Sequence, residues 1–380
     1  MYNNNRSLKW LRNRVKVLKN KPQPPQRSQE WFKARNQNVT GSDAACCLTL
    51  SEDLCKDYVE TFNVKNFKYR PDSCMSHFDT KNDYIEKKCR TYFGENLFKD
   101  NIFTLHGKKF EEIATRLYRI KLKTDVIEFG LLPHSRLGWL SASPDGITTD
   151  GVMVEIKCPY SRKISEGNIP IHYWCQIQIQ LETADLEQCD FLECEIKEIT
   201  EDDFFNKVCK EKQDIGILLN KISLDKNDES KYIYPLDNIS TQQEYIEWKN
   251  QIINENKEIE LEPIYYFIEK WNVLSIFRNK MWFEKAKPYL KKTIDFVRIL
   301  QNDKTKFDEW AKNNVTKPKK KILEFDNSIC LIENNIFDEL EATKLENTDT
   351  CNDVCTDICM DEIRNEKVED EDECTLNISE

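Results

Sequence analysis

The stretch that decides the fold is WLSASPDGITTDGVMVEIKCP, residues 139–159. It reads as two short strands joined by a tight turn. The tetrapeptide Ser143-Pro144-Asp145-Gly146 ends the first strand, and Asp150-Gly151 is a dipeptide typical of β-hairpins. Because the flanking proline and glycine bend the backbone, we expect Asp145 at the end of the first strand, beside the second.

Residues 152–157 form the second predicted strand, and their alternation separates two faces. Successive side chains of a strand point to opposite sides, so Val152, Val154 and Ile156 share an apolar face that we expect in the core. Glu155 and Lys157 share the opposite face. Two carboxylates and one ammonium are therefore expected to converge near the turn.

This convergence suits metal-dependent hydrolysis of a phosphodiester. Mg²⁺, or Mn²⁺ as a substitute, takes oxygen ligands from carboxylates and from a substrate phosphate. The metal neutralises the phosphate and lowers the pKa of a bound water, and Lys157 can orient that water or stabilise developing charge. An isolated E-x-K is more often an exposed ion pair worth under about 1 kcal/mol. Here the upstream Ser-Pro-Asp-Gly and the following Cys158-Pro159 favour the nuclease.

The motif SPDG…VEIKCP resembles the nuclease core of the phage lambda exonuclease and YqaJ-type viral recombinase family, which has the restriction-endonuclease-like PD-(D/E)XK fold. Asp145, Glu155 and Lys157 match its three signature positions. The resemblance implies an α/β fold with a central mixed sheet flanked by helices. It also implies two Mg²⁺ ions per site, held by Asp145, Glu155, Glu111 and the Ile156 carbonyl.

Residues 27–48, RSQEWFKARNQNVTGSDAACCL, are the second informative stretch. Ser28 suits the N-cap of a helix that carries Trp31 and Arg35 on one face, and a second helix is expected over 43–50. A helix N-terminus, a serine hydroxyl and a nearby arginine make an anion site. The stretch resembles the family's W-x-x-x-R…I/V-T-A/G-S-D segment, with Gly41 where alanine is common. By that resemblance Arg35 and Ser42 hold a 5′-phosphate; Trp31 is grouped with them, although packing is its favoured role.

The run HGKKFEEIATRLYRIK, residues 106–121, predicts a helix because its apolar residues recur at three- and four-residue spacing. A solvated helical glutamate is the ordinary interpretation of Glu111. However, the context G-x-x-x-E-x-x-A is similar to the family segment whose glutamate completes the metal site. Glu111 is therefore the candidate and Glu112 the alternative.

The run PIHYWCQIQIQLET, residues 170–183, allows two interpretations. Strict alternation of glutamine and aliphatic residues favours a strand, whereas the family's Y-x-x-Q-x-Q pattern favours a helix. We predict the helix. Gln176 is then the candidate for positioning water or phosphate, and Gln178 is a weaker candidate for binding DNA.

Composition does not exclude a nucleic-acid partner. The net charge of −11 is uneven, since residues 331–380 hold 17 acidic and 3 basic residues and the rest of the chain carries +3.

Fifteen cysteines without C-x-x-C spacing and four scattered histidines predict no zinc site. With no signal peptide or membrane-spanning run, we expect a reduced intracellular protein, in host cytoplasm or nucleus. High Asn, Lys and Ile usage with few glycines fits an AT-rich genome such as that of a large DNA virus.

Four segments are predicted along the chain. They are a basic N-terminal extension at 1–26, the PD-(D/E)XK exonuclease core at 27–200, a mainly helical unit at 201–325 and an acidic, disordered tail at 326–380. The N-terminal extension can form a helix with one apolar face, and we expect it to be loosely attached rather than a DNA-gripping arm.

The leading hypothesis is a Mg²⁺-dependent nuclease acting on double-stranded DNA ends. The family resemblance implies 5′→3′ degradation in viral DNA recombination, repair or replication, a single-strand annealing protein as partner, and a trimeric ring. No membrane partner is expected. Two alternatives stay open: an endonuclease or junction-resolving enzyme of the same fold, and a catalytically inactive DNA-binding scaffold. The intact set of Asp145, Glu155 and Lys157 argues against the scaffold.

Overall fold

The computed structural model describes residues 6–95, 100–164, 166–206, 214–222 and 231–315. They belong to one compact unit, residues 1–323. The predicted tail at 326–380 lies outside the described residues. Within the described ranges, no helix is both long enough and apolar enough to cross a membrane.

The helices of the described ranges flank the sheets. They are α1 (Leu8–Lys19), α2 (Gln29–Gln37), α3 (Ala44–Cys47), α4 (Glu52–Phe62), α5 (Lys81–Tyr92), α6 (Ile102–Leu122), α7 (Ile171–Ala184), α8 (Glu201–Phe205), α9 (Gln242–Glu255), α10 (Lys280–Gln301) and α11 (Lys304–Asn314).

The strands range from two-residue pairings to one of seventeen residues. They are β1 (Val39–Thr40), β2 (Thr49–Leu50), β3 (Arg70–Cys74), β4 (Val126–Ile127), β5 (Leu132–Pro133), β6 (Leu140–Ala142), β7 (Gly146–Thr148), β8 (Met153–Lys157), β9 (Gln188–Ile199), β10 (Ile215–Lys221), β11 (Tyr232–Ile233) and β12 (Leu261–Phe277).

Seven strands form a central mixed sheet in the order β11-β10-β12-β9-β8-β7-β4. Its described pairs are antiparallel except for β8 and β9, which run parallel. A three-stranded sheet, β1-β6-β5, and a two-stranded sheet, β2-β3, lie outside it. The predicted α/β class with a central mixed sheet and flanking helices is confirmed.

The hairpin of β7 and β8 forms at the predicted turn. Gly151 has φ of +85°, a left-handed conformation that glycine adopts without steric cost. The Thr148 hydroxyl accepts a hydrogen bond from the Val152 N–H at 3.0 Å, which closes the turn. Gly146 pairs with Val154. This register brings Asp145, which directly precedes β7, beside the middle of β8.

Strand β8 is buried on both faces. Val154 and Ile156 pack in a cluster with Phe110 of α6, as the predicted apolar face requires. Met153, on the opposite face, packs in a second cluster with Ile177 of α7. The Glu155 carboxylate therefore lies on a face that is also part of the core.

Helix α7 connects the parallel strands β8 and β9, and parallel neighbours need such a crossover. Its residues alternate as a strand would, yet Ile177, Ile179 and Leu181 are all fully buried within the helix. These three side chains are buried although they point to different sides of the helix, because other elements pack around most of its circumference. The helix predicted over 170–183 is confirmed.

The C-terminal region has the predicted helices, α9, α10 and α11. It also contributes three strands that the sequence did not predict, β10, β11 and β12. The run PIYYFIEKWNVLSIF, residues 263–277, belongs to β12, which pairs with β9 along one side and with β10 along the other. The boundary between core and C-terminal unit at residue 200 stays a prediction.

The N-terminal helix is packed into the molecule, so its expected loose attachment is wrong. Val15 is 3% exposed and Leu18 is 1% exposed. The Arg6 guanidinium donates to Asp185 Oδ1 at 2.8 Å, and Arg14 donates to the Ala184 carbonyl at 2.8 Å. Apolar burial and these bonds fasten the segment to the end of α7.

Candidate active site

Asp145 lies in the turn before β7, with its carboxylate against β8. Its Oδ2 accepts a hydrogen bond from the Ile156 N–H at 2.7 Å. Burial raises the pKa of Asp145 well above its usual range; Glu155 and Glu111 add to the rise, and Lys157 opposes it. The charged form of such a carboxyl group is stabilised by any further positive charge brought next to it.

Glu155 is fully buried and is held by three side chains. Gln176 Nε2 donates to its Oε1 at 2.5 Å, Gln180 Nε2 donates to its Oε2 at 2.7 Å, and the Lys157 ammonium also donates to Oε1. A buried carboxylate is tolerated only with partners of this kind. The two glutamines fix both oxygens in one orientation.

The ammonium of Lys157 lies between Glu155 and Tyr173, whose ring centroid is 5.2 Å from Nζ. Burial alone would lower the pKa of Lys157, but Glu155 and Asp145 outweigh burial and hold it above its usual range. Lys157 is therefore charged at neutral pH. In that form it can donate hydrogen bonds and stabilise negative charge.

Glu111, on α6, belongs to the same site. Its Oε2 accepts a hydrogen bond from Arg27 Nη2 at 3.0 Å. Burial raises the pKa of Glu111; Arg27 and Lys157 oppose the rise, and Glu155 adds to it. The structure thus brings together Glu111, Asp145, Glu155 and Lys157. The alternative, Glu112, faces Arg119 at 2.9 Å instead.

Helix α7 holds one glutamine that the sequence analysis missed and places another away from the site. Gln176 and Gln180 both bond to Glu155. Their four-residue spacing puts them on one helical face, and that spacing is the signal that could have identified Gln180. Gln178 instead donates to the Phe277 carbonyl at 3.0 Å and accepts from the Asn279 N–H at 2.6 Å. It fastens α7 to the end of β12 and does not face the site.

The predicted phosphate residues Arg35 and Ser42 meet in the structure. Arg35 Nη2 donates to Ser42 Oγ at 2.8 Å. The Arg35 guanidinium lies 4.3 Å from the ring centroid of Trp31, and the Trp31 indole donates to Ser143 Oγ at 2.8 Å. Ser143 stands two residues before Asp145. Half-buried Trp31 therefore connects this pocket to the turn that carries Asp145.

Lys88, on α5, is a further member of the pocket that the sequence did not indicate. Its Nζ lies 3.0 Å from Asp43 Oδ2 and donates to the Arg35 carbonyl at 2.6 Å. Burial would raise the pKa of Asp43, but Lys88 and Arg35 hold it at about 2. Two cations thus face one carboxylate, which leaves an excess of positive charge beside Ser42.

The second helix expected over 43–50 is shorter than predicted. A 3₁₀ turn, Gly41–Asp43, leads into the four-residue α3, after which the chain enters β2. The positive character of the pocket therefore comes mainly from Arg35 and Lys88. Gly41 packs closely on α7, since a methyl group there would lie 3.1 Å from Gln180 Cγ and 3.2 Å from the Gln176 carbonyl oxygen.

The donor chemistry of the acidic cluster fits a hard divalent cation such as Mg²⁺. Asp145, Glu155 and Glu111 supply carboxylate oxygens, and the Ile156 carbonyl is adjacent in the chain. In the described ranges, no three acidic, histidine or cysteine side chains enclose a metal position as they stand. The reason is that Lys157 and two glutamines hold Glu155, and Arg27 holds Glu111. Metal binding requires some of these bonds to be exchanged.

The buried thiols of the site region are unreactive. The described cysteines are all free, and Cys158, directly after β8, is among the buried ones. Burial raises the pKa of the Cys158 thiol well above its usual range, and Cys194 adds to the rise. A protonated, buried thiol is neither a nucleophile nor a metal ligand.

Solved structures that this chain resembles include two exonucleases. An alkaline exonuclease, LHK-Exo from Laribacter hongkongensis, has 17% sequence identity and a TM-score of 0.41, covering 75% of this chain and all of that chain. A phage-related exonuclease from Haemophilus somnus has 12% identity and a TM-score of 0.35, covering 67% and 95% of the two chains.

Sequence comparison finds a viral relative and a family. An uncharacterised protein of Acanthamoeba polyphaga mimivirus is 29% identical over 343 residues, which cover 79% of this chain. The chain spans 57% of the length of that relative, whose viral source agrees with the expected origin in a large DNA virus. Residues 30–187 match the model of the YqaJ-like viral recombinase domain. The matched residues include Arg35, Glu111, Asp145, Glu155 and Lys157.

Proposed function

We propose that this chain is a Mg²⁺-dependent deoxyribonuclease that hydrolyses phosphodiesters at double-stranded DNA ends, in the 5′→3′ direction, during viral DNA recombination or repair. The observation that carries the proposal is the placement of Asp145, Glu155 and Lys157 in one buried cluster. The similarity of residues 30–187 to the YqaJ-like viral recombinase domain supports the same reaction class.

The acidic cluster and the lysine have complementary roles. When bound by Asp145, Glu155, Glu111 and the Ile156 carbonyl, Mg²⁺ supplies neutralisation of the phosphate and activation of water. Lys157, which stays charged at neutral pH, donates to the attacked phosphate or to the water and stabilises the negative charge that develops. Gln176 and Gln180 keep the Glu155 carboxylate oriented throughout.

The pocket of Arg35, Ser42 and Lys88 supplies the preference for ends. A 5′-terminal phosphate carries more negative charge than an internal phosphodiester, and an arginine fork binds it through charge-assisted hydrogen bonds. Trp31 ties this pocket to the turn that carries Asp145. A bound 5′-phosphate thereby sets which bond of the strand lies at Lys157.

The test uses the purified chain with three DNAs, each with and without Mg²⁺: a 5′-phosphorylated linear duplex, the same duplex with 5′-hydroxyl ends, and a covalently closed circle. Mg²⁺-dependent loss of the linear duplex, slower with hydroxyl ends and absent with the circle, is the expected result. Cleavage of the circle would replace the end-dependent activity with an endonuclease. No cleavage of any DNA by the folded protein would overturn the proposal.

A further inference from the structure

A row of aromatic rings leads from Lys157 to the surface. The ring of Tyr173 lies 5.2 Å from Lys157 Nζ. The next ring is that of His172, with its centroid 4.2 Å from the Tyr173 centroid. Phe78 follows at 5.4 Å from His172, and His77 stacks on His172 at 6.3 Å with an angle of 14° between the ring planes. The proposed mechanism uses none of the three outer rings.

Phe78 is the outermost ring and stands on a fixed loop. It is 74% exposed, the highest value among large apolar side chains in the part of the chain that is described. The Ser76 hydroxyl accepts hydrogen bonds from the N–H groups of Phe78 at 3.3 Å and Asp79 at 3.2 Å. The Asp79 carboxylate is in turn held by Lys87 at 2.7 Å. A phenyl ring that such a loop holds in solvent is pre-organised to contact a bound partner and does not pack in the protein core.

The surroundings of the rings suit nucleic acid. Burial lowers the pKa of His172 to about 4, and its neighbours His77, Lys157 and Arg162 add to the shift, so its ring is neutral at pH 7. Lys157 and Arg162 are the cations near this ring. An uncharged aromatic surface next to two cations matches a nucleobase on a phosphate backbone, because every base has a face that stacks on aromatic rings.

We propose that Phe78, His77 and His172 form a stacking subsite for an unpaired nucleobase of the DNA strand whose phosphate lies at Lys157. This inference rests on the proposed nuclease function and adds how the strand is held. The continuity of the rings with Lys157, through Tyr173, selects this occupant. The steps from Lys157 to Tyr173, His172 and Phe78 are 5.2, 4.2 and 5.4 Å. Stacked nucleotides of one strand are spaced ~3.4 Å apart, so a base a few nucleotides from the phosphate at Lys157 can reach these rings.

The experiment measures equilibrium binding, so it does not depend on cleavage. A fluorescently labelled, 5′-phosphorylated duplex with a three-nucleotide unpaired end is titrated with protein in Ca²⁺, which takes the place of Mg²⁺. Each unpaired nucleotide is replaced in turn by an abasic analogue. Wild-type protein is expected to bind about tenfold more weakly when the base at one of these positions is removed.

Substitution of Phe78, combined with removal of the base from the DNA, gives a double-mutant cycle. Phe78→Ala should bind the intact DNA about tenfold more weakly than wild type and show no further loss with the abasic DNA, because the base has no ring left to stack on. Phe78→Trp should retain the wild-type difference. Phe277→Ala is the matched control, since Phe277 is also strongly exposed, at 67%, and lies outside the row of rings.

Two results would overturn the subsite. One is a wild-type protein that binds intact and abasic DNAs equally at every position. The other is a Phe78→Ala protein that keeps the full wild-type difference. Cleavage in Mg²⁺ is assayed on the same proteins, so loss of the proposed function would appear as an inactive wild type, separately from the outcome of the binding cycle.

Discussion

Two polar clusters flank the turn at 143–146, and they have opposite excesses of charge. In the acidic cluster, the carboxyl groups of Glu111, Asp145 and Glu155 face the cations of Arg27 and Lys157. In the other cluster, which we call the phosphate pocket after its proposed ligand and which consists of Arg35, Ser42 and Lys88, the two cations face the single carboxylate of Asp43.

The difference appears in the titration of the two sets of acids. Burial acts on both, yet the pKa of Asp145 is raised whereas that of Asp43 is held at about 2, because only Asp43 has cations in excess. The first cluster is suited to receive a cation and the second to receive an anion. The proposed function assigns a metal ion to the first cluster and a terminal phosphate to the second.

Removing the ammonium of the acidic cluster should have the largest effect. Lys157→Ala is expected to lower kcat on linear duplex by about 10³-fold, because the charge that stabilises the transition state is lost. Single-turnover cleavage measures it, with thermal unfolding as the check on folding. Lys197→Ala, which alters an exposed lysine, is the control. Full activity in the Lys157→Ala protein would refute the role of the cluster.

Removing a cation from the phosphate pocket should act selectively. Arg35→Ala is expected to slow cleavage of the 5′-phosphorylated duplex by about 30-fold, the value of a charge-assisted hydrogen bond of about 2 kcal/mol. The 5′-hydroxyl duplex should be affected much less. Arg136→Ala changes an exposed arginine elsewhere and should leave both rates unchanged. Equal losses on the two duplexes would show that Arg35 does not recognise the terminal phosphate.

Acid should lower the free energy of unfolding through protonation of Asp43. Its folded pKa of about 2 lies below the ordinary value of 3.8, so its stabilisation is complete above about pH 4 and is lost as the pH falls through 2. The loss is expected to be about 2 kcal/mol of unfolding free energy. Urea unfolding at a series of pH values measures it. Asp43→Asn should lack this part of the pH dependence; an unchanged slope would exclude Asp43 as its source.

Releasing Glu111 should have the smallest effect. Arg27→Ala removes a partly exposed ion pair worth under about 1 kcal/mol. Since the arginine and a metal compete for the same carboxylate, the Mg²⁺ concentration for half-maximal cleavage should fall by about threefold. Arg12→Ala breaks a comparable exposed pair with Asp150 and serves as the control. A higher Mg²⁺ requirement in Arg27→Ala would contradict this competition.

The sequence predicted the parts of the site that are close together in the chain. Asp145, Glu155 and Lys157 lie within one hairpin, so turn chemistry and strand alternation are enough to bring them together. Arg35 and Ser42 are similarly local. Lys88 and Arg27 were missed because each reaches its partner from a distant segment, and neither has a local pattern that distinguishes it from a solvated surface cation.

Helix α7 shows a second kind of limit. Gln176, Gln178 and Gln180 look equivalent in an alternating run, and only the rotation of the helix decides which of them face Glu155. The structure selects Gln176 and Gln180 and turns Gln178 towards Asn279. Likewise, β12 was not predicted because aromatic residues at mixed spacing suit both a strand and a buried helix, and β10 was not predicted because its short aliphatic run, IGILLNK, suits both as well.

The pairing of β12 with β9 has a consequence for how the chain can be divided. The partner register runs over the whole of β9, from Gln188 to Ile199. A fragment ending at residue 200 would leave a twelve-residue strand with an open row of N–H and C=O groups along one side. Open edges of that length template the association of one molecule with another. In the full chain, residues 261–277 cover this edge of the central sheet, so β9 is not open to a second molecule.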